Sequence, residues 1–324
     1  MRTRHVTVTI DLDQVRRHAE EIRRRTGVPL IAVIKADAYG LGAGPVSDAL
    51  ASVADDFAYF YLHEAREVGK PGIVLGPPDG DASEYRELRL RPMVGNREQA
   101  RRYAGLPVAV NVDTGMQRFG CPPQELDELI AACNVSEITT HAASPAAADL
   151  FRRIVGSNGF RKHAASTSLL DCPQAWFDGV RPGLALYRGA VRVSSRLVAV
   201  RQTQGAVGYT GFECRHVGII LAGYSNGLQP APALINGRRQ AILEVGMNTA
   251  FVSVDPADMT GDEVVLLGDG ITESELAAHL RVREHEILCR YTSLGQRQYV
   301  GRSAEVSPGP ADTTPASAAA RRQT

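Results

Sequence analysis

Lysine is scarce in this chain. Of its 36 basic residues only Lys35, Lys70 and Lys162 are lysines, and the rest are arginines. Arginine carries a permanent charge, whereas a lysine whose pKa has been lowered can act as an amine nucleophile or as a proton-transfer base. Lys35 has the context for such a role. The unbroken apolar run Leu30 to Ile34 ends on it, and Tyr39-Gly40-Leu41-Gly42 follows. Burial at the end of an apolar strand lowers an amine's pKa, and a nearby tyrosine hydroxyl and glycine backbone could reach a phosphate. On these residues alone, a snorkelling or ion-paired lysine at a strand end is the favoured reading.

The elements that must position Lys35 alternate between helix and strand. Asp11 opens an amphipathic stretch, with Leu12, Val15, Ala19 and Ile22 on one face, that stops near Gly27. The Lys35 strand comes next. An apolar stretch near Ala58 to Tyr61, a helical segment around Glu64, the strand Gly72 to Leu75 and a turn at Gly76-Pro77-Pro78 repeat the pattern. Further strands read at Pro107 to Asp113 and near Ile138 to His141. This alternation predicts a parallel (β/α)8 TIM-like barrel over residues 1–190, whose chemistry sits at strand ends.

Past Arg188 the texture changes to short alternating runs divided by glycines: Arg192 to Arg201, His216 to Ala222, Arg239 to Val245, Phe251 to Val254 and Glu263 to Leu267. That predicts a mostly-β domain over 191–302, interrupted by a helix at Glu273 to Leu280, with the first residues of the chain free to pack against it. Residues 303–324 are rich in Pro, Ala, Ser and Thr, which predicts a disordered tail.

With 324 residues and zero formal net charge, the chain has material for a large core and no overall attraction to nucleic acid or an anionic membrane. Its apolar runs are too short to span a bilayer. The five cysteines show no paired spacing of a disulfide framework or metal site. A cytoplasmic protein without a bound metal is expected.

The motifs narrow the chemistry further. Val33 to Gly42, of the form Val-x-Lys-Ala-x-Ala-Tyr-Gly-x-Gly, resembles the cofactor-binding signature of the alanine racemase family, fold-type III pyridoxal-phosphate enzymes. Other matches follow in the family's order: Ile10-Asp11-Leu12, Glu64-Ala65, Gly72 to Gly76, Val112 to Gly120, Thr140-His141, His163 to Ala165 and Val180 to Tyr187. Together they cover most of residues 8 to 302, and the chain reads as a divergent member.

The resemblance implies racemisation of a small amino acid, alanine or a specialised relative, with pyridoxal 5'-phosphate held by Lys35. Arg118 would reach the cofactor's phenolic oxygen and Arg181 its pyridine nitrogen. A fixed cation there disfavours protonation of that nitrogen and limits the ring as an electron sink. His141 would lie beside the ring and help to position Arg181. Phosphate would meet Tyr39, Thr167 with Ser166 or Ser168, and the amides of Gly183 and Leu184. Moving a proton from one face of the substrate to the other needs two bases. The second, by resemblance, is Tyr209 of the other subunit in a head-to-tail homodimer, with Tyr224 at the site mouth. Arg118, Tyr224 and Met247 would contact substrate.

The chain also departs from the family pattern. Asn111 stands where many members carry a lysine that orients the arginine, so Arg118 needs another polar group or an anion such as chloride as its partner. Gly246-Met247-Asn248 replaces Cys/Ser-Met-Asp, and Ser293 takes the place of a phosphate-binding tyrosine. Two alternatives stay open. One is an amino-acid decarboxylase on the same architecture, against which Arg181 argues; the other is a non-catalytic pyridoxal-phosphate-binding homologue.

Overall fold

The structure, a computed structural model, describes residues 3–301, so the tail expected at 303–324 lies outside the described residues. Strand β1 (Thr3–Asp11) leads into a helix, Leu12–Thr26. Asp11 caps that helix by accepting the Gln14 N–H at 2.8 Å, and Gly27 ends it in the left-handed conformation. Seven parallel strands follow with helices between most of them: β2 (Ile31–Val33), β3 (Asp56–Tyr59), β4 (Gly72–Val74), β5 (Leu90–Val94), β6 (Pro107–Asn111), β7 (Asn134–Thr139) and β8 (Arg161–His163). They pair in that order, and the ring is closed by a short parallel bridge from Val180 to Leu30. Ile31 N–H donates to the Val180 carbonyl at 2.9 Å and Val33 N–H to that of Pro182 at 3.0 Å. The eighth strand of the expected barrel is thus reduced to a few residues around Arg181, which it delivers into the barrel mouth.

The second sheet is built from β9 (Val191–Arg196), β10 (Ala199–Gln202), β11 (His216–Ile220), β12 (Pro232–Ile235), β13 (Arg238–Val245), β14 (Ala250–Ser253), β15 (Glu263–Leu267) and β16 (Gly295–Val300), with β1 as a ninth member. The strand β1 lies between β9 and β16, so the start of the chain belongs to this sheet. The run Arg192 to Arg201, legible as one strand, is two, because the chain breaks at Leu197 and Val198 to change partners. Helix Glu273–Leu280 stands where the sequence predicts it, and a second helix, Glu284–Tyr291, follows. Buried apolar side chains run continuously from the barrel helices into this sheet. Ile31, Val33, Ala58, Ile73, Met93 and Ala109 fill the barrel's interior. Among the described residues no helix is long and apolar enough to cross a membrane, and no cluster of His, Cys, Asp or Glu could hold a metal.

Candidate active site

At the end of β2 the backbone does something unusual. Lys35 is followed by four consecutive non-glycine residues in the left-handed region, Ala36, Asp37, Ala38 and Tyr39, with φ between 52° and 58°. Each such residue costs about 1–2 kcal/mol. The turn is held by bonds from all around it. Glu64 accepts the Ala36 N–H at 2.7 Å, the Asp37 carboxylate accepts the Ala43 N–H at 2.7 Å, and Arg297 on β16 donates to Asp37 at 2.5 Å. The sequence marks a turn only from Tyr39 onward; the structure begins it at Ala36, before either glycine.

This turn sets Lys35 on the wall of a cavity of about 530 Å³ at the barrel mouth. Lys70 is paired with Asp48 at 2.5 Å and Lys162 turns back to the Phe160 carbonyl at 3.0 Å, so Lys35 is the lysine available for chemistry there. Its amine lies 5.7 Å from the Phe60 ring centroid. Burial, then the charge of Arg118, lower its pKa; Glu64 works against them and Arg181 with them.

Arg181 lines the same cavity and is only 5% exposed. Nη1 donates to the Thr139 hydroxyl at 2.6 Å and Nη2 to the Thr140 carbonyl. Thr139 in turn meets His163 Nδ1 at 3.1 Å, His163 Nε2 meets Glu137 at 3.0 Å, and Glu137 accepts from Arg91 Nε at 2.7 Å. Burial lowers His163 to about 4, assisted by Arg181, so the ring is neutral. Nε2–H then donates to Glu137, and Nδ1 is left an acceptor beside the Thr139 hydroxyl, whose one proton goes to the His163 carbonyl at 3.0 Å. Burial would raise Glu137, but its bond to His163 and the Arg91 cation outweigh that and hold its carboxyl well below the usual range. Arg181 itself falls to about 10 through burial, partly offset by Glu137, and stays cationic at neutral pH. The sequence reading gave Arg181 to His141 for positioning. In the structure the bonds that fix it come from Thr139 and Thr140 instead. His141 lines the cavity and is lowered to about 4 by burial and then by Arg181, Arg118 and Lys35.

Arg118 also lines the cavity, its guanidinium 5.3 Å from the Phe119 ring centroid. Asn111, with its amide turned to suit both neighbours, donates to the Thr139 carbonyl at 3.3 Å and accepts the Gly120 N–H at 3.1 Å. It therefore fastens the loop behind Arg118 to β7.

The other end of the cavity is lined with hydroxyls. Tyr39, Ser166, Thr167 and Ser168 border it together with Gly183 and Leu184. The Thr167 hydroxyl accepts the N–H groups of Gly183 at 3.3 Å and Ala185 at 3.1 Å. A Cβ at Gly183 would collide with the Tyr39 hydroxyl. Burial pushes Tyr39 up to about 12, so it remains a neutral donor. Arg188, Arg283 and His285, which no motif marks, also border the cavity, the last meeting Tyr39 edge-on with ring centroids 6.5 Å apart. Ser293 does not border it: its hydroxyl donates to the Arg290 carbonyl at 2.6 Å.

Three of the residues singled out from sequence lie elsewhere. Tyr209, Tyr224 and Met247 border no part of this cavity and are 92%, 58% and 58% exposed. They are close to each other on the second sheet. Tyr224 N–H donates to the Gly246 carbonyl at 2.9 Å, Ser225 N–H to that of Met247 at 3.1 Å, and the Ser225 hydroxyl to Asn248 at 2.9 Å.

Comparison with known proteins meets this geometry from outside. The alanine racemase N-terminal domain matches residues 10–191 and the alanine racemase C-terminal domain residues 190–299. The chain belongs to the alanine racemase family. It is thereby an enzyme of the isomerase class. An alanine racemase of Thioalkalivibrio sulfidiphilus is 31% identical, with 90% of this chain and 98% of the relative covered. One of Nitrosococcus oceani is 28% identical over 87% of this chain and 96% of the relative. Among solved family structures, the biosynthetic alanine racemase of Pseudomonas aeruginosa superposes with a TM-score of 0.84 at 26% identity, over 92% of this chain and all of that one. The Bartonella henselae enzyme, solved with covalently bound pyridoxal phosphate, has the same fold with a TM-score of 0.84 at 22% identity, over 92% of this chain and all of that one.

Proposed function

We propose that this chain racemises a small amino acid, alanine or a close relative, with pyridoxal 5'-phosphate held on Lys35 and with Tyr209 of the partner subunit as the second base. One observation carries the reading: a lysine amine with lowered pKa and a buried, fixed guanidinium share the wall of a single cavity, whose far end offers hydroxyl donors. A group with a phosphate, a ring nitrogen and an aldehyde fits that arrangement. Tyr39 and Thr167, with the Gly183 and Leu184 amides and the Ser166 hydroxyl beside them, suit the phosphate, and the missing Cβ of Gly183 lets the Tyr39 hydroxyl lie against that backbone. Arg181 would face the ring nitrogen and Arg118 the phenolic oxygen, with His141 beside the ring.

Once bound, the cofactor supplies electron withdrawal that makes the substrate's Cα proton removable. Lys35 then takes or returns that proton on one face. The cavity's own lining offers no tyrosine opposite it beyond Tyr39, which the hydroxyl end uses. Tyr209, exposed on the second sheet, is the group free to enter from a second copy, with Tyr224 and Met247 alongside. That supports a head-to-tail homodimer with two composite sites; we place it in the cytoplasm on the sequence and its family resemblance alone.

The test is solvent deuterium incorporation at Cα over a panel of L- and D-amino acids, using protein reconstituted with pyridoxal phosphate. Exchange with inversion for a small amino acid is expected. Release of carbon dioxide would reassign the chain as a decarboxylase, and visible absorbance without any exchange would make it a non-catalytic cofactor binder.

A further inference from the structure

Tyr209 stands on a loop, and its ring is almost wholly in solvent, so backbone rather than packing must set where the phenol points. The backbone is gripped from β13. Between Ile242 and Glu244 the pairing with β14 slips by one residue, a bulge of the kind that re-aims a side chain. Glu244 is turned beneath the Tyr209 loop and only 7% exposed. One carboxylate oxygen accepts the Tyr209 N–H at 2.9 Å; the other accepts the Thr210 N–H at 2.7 Å and the Thr210 hydroxyl at 2.6 Å. Three donors converge on one carboxylate, and such bonds are about twice as strong as neutral ones. The Thr210 hydroxyl, then the two amides, hold its pKa below the ordinary value.

The preceding residue is shaped to allow this. Gly208 has φ +71°, and a Cβ there would overlap the Glu244 carboxylate. Two and three residues beyond Glu244, the carbonyls of Gly246 and Met247 hold the backbone of Tyr224 and Ser225. One strand end therefore fixes the whole exposed cluster.

We propose that Glu244 is a positioning residue for Tyr209, its carboxylate clamping residues 209 and 210 so that the phenol stands at the height needed to reach substrate in the partner subunit's cavity. The inference rests on the reading of Tyr209 as second base. It leaves Lys35 untouched, which makes it separable from a general structural role.

The experiment uses the reconstituted holoenzyme and measures two rates at Cα, solvent deuterium exchange with retention and exchange with inversion. In Glu244→Gln the amide –NH2 must face an N–H donor, so at least one bond is lost. A small displacement of a reacting group can cost about 10²-fold. The expected result is inversion reduced by about tenfold to a hundredfold, while cofactor absorbance and exchange with retention stay close to the parent. Thr210→Val, which removes the hydroxyl alone, should move the same ratio by less. Thermal melting checks that each variant folds, and where Glu244→Gln does not fold, Thr210→Val decides. If both rates fall together, or neither changes, the clamp is overturned. Tyr209→Phe is the control: if it leaves inversion intact, the second-base reading fails; if it abolishes inversion while the clamp variants leave the ratio unmoved, only the Glu244 inference fails.

Discussion

The two regions that carry the candidate chemistry are built on opposite principles. Around Arg181 the wall is largely enclosed: the guanidinium, Thr139, His163, Glu137 and the half-buried Arg91 are linked one to the next through the barrel interior. Around Tyr209 the backbone is gripped just as firmly, yet the side chains of Tyr209, Tyr224 and Met247 are left in solvent. A chain rarely exposes three large side chains on one rigid scaffold unless something else covers them. On the proposed reading, the contrast is that of a site whose electrostatic wall is complete within one copy and whose opposing wall comes from another.

The comparison can be broken most directly at Lys35. Lys35→Ala should lose the visible absorbance of the reconstituted protein and reduce racemisation by about 10⁴-fold or more, and retained absorbance would remove Lys35 from its role. Tyr209→Phe should keep the absorbance and lose about 10²–10⁴-fold in inversion. Mixing these two inactive variants under conditions that exchange subunits should restore racemisation, because one of the two sites in a mixed dimer is intact. Failure of both to complement would place Tyr209 in its own subunit's site or outside the reaction.

The enclosed wall is sharpened by stability rather than rate. Glu137→Gln removes the charge that accepts from Arg91 and His163 while Asp56 still pairs with Arg91, and should destabilise the fold by about 1.5–3 kcal/mol, read by chemical denaturation. His163 carries a pH signature. Its folded pKa, about 4, lies below the ordinary 6.5, so between these values the unfolded chain binds more protons than the folded one. Its contribution is therefore fully present above about pH 6.5 and is lost as pH falls toward 4. His163→Gln should flatten stability against pH in that window. The smallest effect is expected at Asn111. Asn111→Ala removes two hydrogen bonds behind Arg118, about 1 kcal/mol of stability each, and shifts cofactor affinity more than substrate turnover.

The barrel's early strands were legible because parallel strands buried on both faces read as continuous apolar runs, as Leu30 to Ile34 does. The strands β5 and β8 escaped for the opposite reason: Leu90–Val94 carries Arg91, and Arg161–His163 is basic throughout, because both contribute to the buried charged chain. A polar strand inside a barrel looks like a loop until its partners are known. Lys35, Tyr39, Arg118 and Arg181 could be picked out because local motifs surround them. Glu137, Thr139 and Arg91 are isolated side chains joined only in space, and Arg283 and His285 come from a helix about 250 residues beyond Lys35 whose one signal was a short acidic start. His163 lay within a quoted motif, but nothing near it in sequence announces the carboxylate it meets.

The left-handed turn after Lys35 has a bearing on how the molecule comes into being. Its Asp37 is tied to Arg297, the Tyr299 hydroxyl donates to the Leu41 carbonyl at 2.9 Å, and both partners sit on β16, which pairs in parallel with β1. The strand that locks the lysine's turn is made about 260 residues after it, on the order of tens of seconds later at ordinary synthesis rates. Until β1 and β16 meet, the turn lacks part of what offsets its strain. Maturation of the lysine's surroundings is thus a closing event of folding, and a chain cut short before β16 would hold the signature residues in the wrong shape.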